Sequence, residues 1–331
     1  MIKNPRLVMA ALLLFLAAGS PAGVMAGDRY AVLPFTNETR EDSLYWMGEA
    51  IAIGLTDHLL AAGVTCVSAE RRRDGLLEIG LDSREPVSLA SAILLARRLG
   101  ADWILVGHYT LLANHGLSIR GHIVSAQGLE EGKQIEVQGV LADLHHLQQK
   151  FVHNLVPRSQ RQPQREGITP MQEMSTVPLS SVEFYSRAML VEDQEQRRDL
   201  LTRALESDPV YSAALIQRAL LEIAEGRPES SFLWLDRVAL AKVAFPERYW
   251  LARGDAFAAN GDRGSAIDNY KKALALRTTA TAHFRLGAVL AQGGQIHDAR
   301  LHISAGLTLD PRDPEGLELH EALAAPVETG S

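Results

Sequence analysis

A repeat with a step of 33 residues constrains the fold of this chain more than any other feature. Small residues recur at this step in the pairs Gly254 and Gly287, Gly261 and Gly294, and Ala266 and Ala299. Small residues at fixed positions let the two helices of a hairpin pack closely, and bulky residues fill the space between hairpins. Several positions that share one period are typical of a repeat array. The segment therefore predicts stacked helical hairpins, which present a surface for binding.

The helical pattern extends beyond the two clear repeats. Further hairpins are predicted over Val182–Pro209 and over Ala213–Pro246, and the tail Pro314–Leu323 is predicted to be a capping helix over the last apolar face. Residues 179–325 are thus predicted to form an all-α domain of about four hairpins and a capping helix.

The first half of the chain has a different pattern. Residues 27–156 are predicted to form an α/β domain with a mixed sheet, in the order β-α-β-α-β-β-β-α. The main predicted elements are a strand at 29–35, helices at 44–62, 86–99 and 142–155, and a strand at 103–112.

Two polar segments interrupt these patterns. Residues 157–178 are polar and punctuated by prolines, which predicts a flexible linker between the two domains. The run from Arg71 to Arg73 is interpreted as a solvated loop, and a contact surface for an acidic partner is the alternative.

The N-terminus has the pattern of an export signal. Lys3 and Arg6 precede an apolar stretch, Leu7–Ala18, and small residues end at Ala26. The apolar stretch is shorter than the roughly 20 residues that a spanning helix needs. We expect residues 1–26 to be a signal peptide cleaved after Ala26, which predicts a periplasmic protein; an uncleaved anchor is the alternative.

Charge and cysteine content narrow the function further. The net charge is −7, and loss of residues 1–26, which carry two basic residues and no acid, makes it −9. An acidic chain is repelled by nucleic acid and by anionic lipid, so neither is expected as a partner. Cys66 is the single cysteine, which excludes a disulfide within the chain. No cysteine lies directly after the apolar stretch, so no lipid anchor is expected.

The second half resembles the tetratricopeptide (TPR) repeat family. The residues that carry the resemblance are Trp250, Gly254, Phe257, Ala266, Tyr270 and Ala273 in one copy, and Leu286, Gly287, Ala299 and Pro311 in the next. In this family the first helix of each hairpin lines a concave groove that binds peptides or partner proteins. The resemblance therefore implies a protein-binding role.

The first half resembles the αβ domain shared by the amino-terminal part of TolB and the FlgO-type envelope proteins. The resemblance covers about residues 29–156 and depends on Ala31–Phe35 with Asn37, on Gly48–Leu60 and on Ala96–Gly107. It implies a non-catalytic role at the cell envelope in contact with other envelope proteins. The β-propeller of TolB is missing from this chain, so membership of the Tol system does not follow.

No motif for catalysis, cofactor binding or metal binding is found. The sequence has no Gly-x-Ser-x-Gly elbow, no phosphate-binding Gly-x-x-x-x-Gly-Lys loop and no dinucleotide fingerprint after a strand. His108 and His122, and the three histidines at 145, 146 and 153, have no cysteine or carboxylate cluster beside them, so they are interpreted as surface or half-buried residues. We therefore expect no catalytic residue, no cofactor and no metal, and predict that the chain is not an enzyme.

The repeat register predicts which residues line the concave groove. They are Ile216, Leu220, Arg248, Leu251, Asp255, Ala258, Ala259, Phe284, Ala288, Ala291 and Gln292. This set is mainly small and apolar, with Arg248 its one clear cation, which favours an apolar peptide or helix as the ligand. The alternative is a groove filled by the chain's own linker or by a neighbouring copy.

The features together predict an exported two-domain adaptor or scaffold of the cell envelope. Its expected partners are other envelope proteins or peptides. The alternative is a self-assembling structural or secretion-apparatus component in which the α/β domain mediates oligomer formation.

Overall fold

The computed structural model describes residues 28–39, 41–81, 86–113, 115–127, 130–157 and 167–324. The predicted signal peptide lies outside these ranges. Among the described residues, every helix is too short or too polar to cross a lipid bilayer.

The first half is built on one mixed sheet with helices on both faces. Its strands are β1 (Arg29–Val32), β2 (Thr36–Asn37), β3 (Thr65–Cys66), β4 (Trp103–Leu112), β5 (Gly116–Ser125) and β6 (Ile135–Val140). Its helices are α1 (Trp46–Ala61), α2 (Ala69–Glu78), α3 (Leu89–Arg98) and α4 (Leu144–Leu155). The strand order is β3-β1-β4-β5-β6, and β2 also pairs with β4. β1 is parallel to β3 and β4, whereas β4, β5 and β6 are antiparallel. The predicted mixed-sheet α/β class is therefore confirmed.

The core of this half has two layers because α1 and α4 cover one face of the sheet and α2 and α3 cover the other. Gly107 of β4 pairs with Gly121 of β5, and the Phe35 ring fills the space that both glycines leave. A Cβ atom at residue 107 would overlap that ring. Two glycines opposite each other thus anchor an aromatic side chain across the hairpin.

The interpretation of Arg71–Arg73 as a solvated loop is wrong. These residues lie in α2, which begins after Ser68, whose hydroxyl accepts a hydrogen bond from the Arg71 N–H. Arg72 is buried and forms an ion pair with Glu49 of α1. Its Nη1 also donates to the Val32 carbonyl at 3.0 Å. Only Arg72 faces inward, because successive helical residues point in directions about 100° apart.

The second part of the predicted linker contains a short helix, α5 (Pro170–Met174). Thr169 caps it, since its side chain accepts from the Gln172 N–H while the Gln172 side chain accepts from the Thr169 N–H. The Glu173 carboxylate accepts a hydrogen bond from the Ala244 N–H at 2.7 Å. This segment is thereby attached to the helical half.

The second half is mostly helical, as the sequence predicts. Its helices are α6 (Leu179–Leu190), α7 (Gln194–Ser207), α8 (Ser212–Ala224), α9 (Pro228–Leu235), α10 (Pro246–Ala259), α11 (Arg263–Leu276), α12 (Ala280–Gln292), α13 (Ile296–Leu309) and α14 (Pro314–Ala324). They form four hairpins, α6/α7, α8/α9, α10/α11 and α12/α13, followed by α14.

The 33-residue repeat is visible as equivalent packing in two hairpins. Gly254 of α10 lies against the Tyr270 ring of α11, and Gly287 of α12 lies against Ile303 of α13. The turns between the paired helices contain Gly261 and Gly294 at φ of 81° and 77°, a left-handed conformation that favours glycine. The recurring glycines therefore serve close helix approach and turn geometry.

The two halves are in direct contact. Leu179 and Val182 of α6 pack against the α/β core, and Ile53 of α1 packs against the first helical cluster. Polar contacts between the halves reach α8, the start of α10 and the end of α13. They join Arg248 to Asp57, Gln217 to Glu70, and Arg29 to Asp310.

Candidate functional site

Two of the predicted groove residues lie at a cavity between the halves. Ile216 and Arg248 line a cavity of about 90 Å³ together with residues of α1, α4, α5 and α6. Arg248 Nη2 donates to the Asp57 carboxylate at 2.6 Å, and its guanidinium carbon lies 4.4 Å from the centroid of the Phe245 ring. The one clear cation of the predicted groove is therefore engaged by the α/β half.

Asp255, another predicted groove residue, forms its contacts inside the array. Its Oδ1 accepts a hydrogen bond from the Tyr270 hydroxyl at 2.8 Å and lies 3.6 Å from Arg285 Nε. Burial raises the pKa of Asp255, and Arg285 and the Tyr270 hydroxyl oppose this rise. The carboxylate thus joins α10, α11 and α12.

Phe284 faces away from any open surface. It is 1% exposed, and its ring occupies the space left by Gly306 of α13 and Gly316 of α14. A Cβ atom on either glycine would overlap the ring. Phe284 therefore fixes the capping helix to the last hairpin and offers nothing to a ligand.

The other predicted groove residues keep some exposure. Leu220, Leu251, Ala258, Ala288 and Ala291 are half-buried, and Ala259 and Gln292 are exposed. We call these seven residues the array face. They belong to α8, α10 and α12, whose neighbouring pairs are in contact. The array face is mainly small and apolar, which suits a ligand that is bound through shape and burial.

The cavity between the halves brings several titratable groups together. Burial lowers the pKa of His58 to about 4, although the nearby Asp57 charge opposes this shift. Burial raises the pKa of Glu173 to about 6, against the hydrogen bond from the Ala244 N–H. In both groups burial shifts the pKa in the direction that favours the neutral form, as expected where water is scarce. In the described part of the chain, no three metal-ligating side chains converge.

Comparisons with known proteins assign no family to this chain. No protein-family model matches it, and no curated protein matches it either. Among solved structures, the C-terminal domain of LpoB from Salmonella enterica is 17% identical, with 36% of this chain and 87% of that one covered and a TM-score of 0.28. The same domain from Escherichia coli is 18% identical, with 37% and 88% covered and a TM-score of 0.29.

The lipoprotein GNA1162 from Neisseria meningitidis is 16% identical, with 34% of this chain and 80% of that one covered and a TM-score of 0.29.

We predict that His58 makes the stability of the chain pH-dependent. Its folded pKa of about 4 lies below its ordinary value of 6.5, so the unfolded chain binds the proton more tightly. The His58 contribution is complete above pH 6.5 and decreases as the pH falls towards 4, by roughly 3 kcal/mol in total. The measurement is urea unfolding of the wild type and of His58→Gln at pH 7.5 and pH 4.5.

Glu173 opposes this trend because its raised pKa makes its contribution more favourable as the pH falls through 6. The informative quantity is therefore the difference between wild type and His58→Gln at each pH. That difference should shrink at pH 4.5. An equal difference at both pH values would contradict the assignment to His58.

Sequence reasoning did not find Asp57, Glu173 or Glu49. Asp57 precedes a histidine within an apolar helix, and Glu173 lies in a segment predicted to be a linker. Asp57 binds Arg248 and Glu173 binds Ala244, and both partners are distant in sequence. A local pattern gives no signal for such contacts.

Proposed function

We propose that this chain is an exported adaptor or scaffold of the cell envelope that binds partner proteins and has no enzymatic role. Its helical half is proposed to be an array of the TPR type. The observation that supports this most directly is the array face, a row of small, partly exposed residues on consecutive first helices. Such a surface admits a ligand close to the helix backbones.

The α/β half is proposed to hold the array in one shape. It contacts α6 through apolar side chains, and its polar contacts reach α8, α10 and the end of α13. An array whose hairpins contact only their neighbours is otherwise deformable along its length. A fixed curvature lowers the entropy lost when a ligand orders the surface.

The proposed ligand is an apolar peptide or helix of another envelope protein. The array face contains no charged residue, so a ligand gains affinity there by burying apolar surface. Arg248 and Asp255, the charged residues of the predicted groove, already have partners within the chain. We therefore do not propose that charged side chains of the groove bind a charged group of the ligand.

The test is affinity capture from envelope extracts with the intact chain as bait. We expect Ala258→Trp to reduce capture of its partners at least tenfold, because the indole fills the space that a ligand would occupy. Leu301→Trp is the matched control, since Leu301 is 59% exposed on α13 and does not belong to the array face. Capture should be unchanged in that variant.

Arg248→Ala separates this proposal from a charge-based one. It removes a contact to Asp57 at the interface and leaves the array face intact. Loss of capture in Arg248→Ala together with normal capture in Ala258→Trp would overturn the proposal.

Light scattering of the purified chain tests the self-assembly alternative, because a discrete oligomer appears only in that case.

A further inference from the structure

A second open cleft lies between α10 and α11, away from the array face. Its volume is about 390 Å³, and it is lined by Tyr249, Trp250, Arg253 and Phe257 of α10 and by Ser265, Asp268, Asn269 and Lys272 of α11. Residues 250, 253 and 257 follow one stripe of α10, whereas 251, 255 and 258 follow another. The cleft and the array face are therefore different surfaces of the same helix.

The cleft is adjacent to the one second helix that is shorter than the others. α7, α11 and α13 each have 14 residues, but α9 has 8. Six missing residues correspond to about 9 Å of helix. α9 still reaches α10, because Phe232 packs on Phe257 and Asp236 binds Arg253. Beyond Asp236 the chain leaves the helix, and its Val238 and Leu240 pack in the same apolar cluster as Tyr249 and Trp250.

A buried acceptor without a partner lines this cleft. Asn269 is 5% exposed, and its Nδ2 donates to the Ser265 carbonyl at 2.7 Å. A carbonyl only accepts, so this contact fixes which side-chain atom is the nitrogen. Oδ1 has no hydrogen-bond partner among the described residues. A buried acceptor is costly unless a donor reaches it, which points to a ligand with an N–H or O–H group.

The cleft also carries a cation that is available to an anion. The Lys272 ammonium lies 4.6 Å from the centroid of the Trp250 ring, and no ion pair engages it in the described part of the chain. Arg253 lies near three aromatic rings and donates to Asp236 and to the Tyr249 hydroxyl. Because Asp236 offsets the charge of Arg253, Lys272 is the lining cation that a carboxylate of a ligand can engage.

We propose that the cleft between α10 and α11 binds an acidic peptide segment of a partner protein. A backbone N–H of the peptide donates to Asn269 Oδ1, and a carboxylate of the peptide pairs with Lys272. An oligosaccharide fits the evidence less well, because cations already cover the rings of Trp250 and Phe257 that sugars would stack upon.

The test uses a random twelve-residue peptide library displayed on phage, selected against the intact chain. Synthetic peptides of the enriched sequence are then titrated against variants. We expect enrichment of peptides with Asp or Glu, and at least tenfold weaker binding to Lys272→Glu. Asn269→Leu, which has a similar shape and no acceptor, should weaken binding about fivefold. Lys271→Glu is the matched control, because this exposed neighbour does not line the cleft, and it should retain most of the affinity.

Three results would overturn the proposal. The first is a selection that yields no acidic consensus peptides. The second is equal weakening of peptide binding by Lys271→Glu and Lys272→Glu. The third is that no peptide binds, whereas chitotetraose binds and Trp250→Ala abolishes that binding. Ala258→Trp should leave the acidic peptides bound, because residue 258 does not line the cleft. This variant separates a failure of the cleft proposal from a failure of the proposed adaptor function.

Discussion

Replacement of Arg72 by Met is expected to lower the free energy of unfolding by about 3–5 kcal/mol, the usual cost of leaving one partner of a buried ion pair alone. Glu49 is 2% exposed in the first turn of α1, and Arg72 is its ion-pair partner. The substitution also removes the hydrogen bond from Arg72 to the Val32 carbonyl. Urea unfolding at pH 7 measures the loss.

The pH dependence of this stability loss should show that the unpaired Glu49 carboxylate causes it. Burial already raises the pKa of Glu49, and the Arg72 charge opposes that rise. Without Arg72 the pKa rises further, so the carboxyl is protonated in the folded state at a pH where the unfolded chain keeps it ionised. The defect of Arg72→Met is therefore largest at high pH and shrinks as the pH falls through the raised pKa.

Two further variants control this experiment. Arg73→Met removes a partly exposed neighbour that lies 3.5 Å from Asp74, a residue more than half exposed, so a change below about 1 kcal/mol is expected. Arg72→Met combined with Glu49→Leu removes both charges and should recover most of the stability. Similar losses in Arg72→Met and Arg73→Met would rule out a special role for the buried pair.

The arginine run shows why part of the fold was not predictable from the sequence. Three consecutive arginines have the composition of a solvated segment, and nothing local distinguishes Arg72 from its neighbours. Its burial depends on Glu49, which is contributed by another helix. By contrast, the sheet and the hairpins were predictable because alternation, helical stripes and a 33-residue period are properties of short windows.

The candidate site shows the same limit. The repeat register places Leu251, Ala258 and Ala291 on a partly exposed surface. It cannot place Arg248 beside Asp57, since that contact joins residues from different halves of the chain. The length of α9 is not predictable either, because the segment after Leu235 contains helix-forming residues such as Leu240 and Lys242. Tertiary packing, rather than local propensity, decides these features.

Replacement of Gly254 by Leu is expected to destabilise the helical half by about 3 kcal/mol, as overpacking of a tight core contact does. A Cβ atom at this position would overlap the Tyr270 ring. That ring is 1% exposed, and its hydroxyl donates to Asp255 at 2.8 Å. The ring therefore cannot withdraw without breaking a hydrogen bond that links α11 to α10.

The control is Gly264→Leu in the same hairpin. The nearest atom to a Cβ there is Asp262 Oδ1 at 3.7 Å, an ordinary contact, so the new side chain extends into solvent. Leu is a better helix former than Gly, and the free energy of unfolding should rise by less than about 1 kcal/mol. Opposite signs in urea unfolding would show that Gly254 is required by close helix approach. If both variants destabilise equally, the 33-residue recurrence of glycine reflects something other than packing against the facing helix.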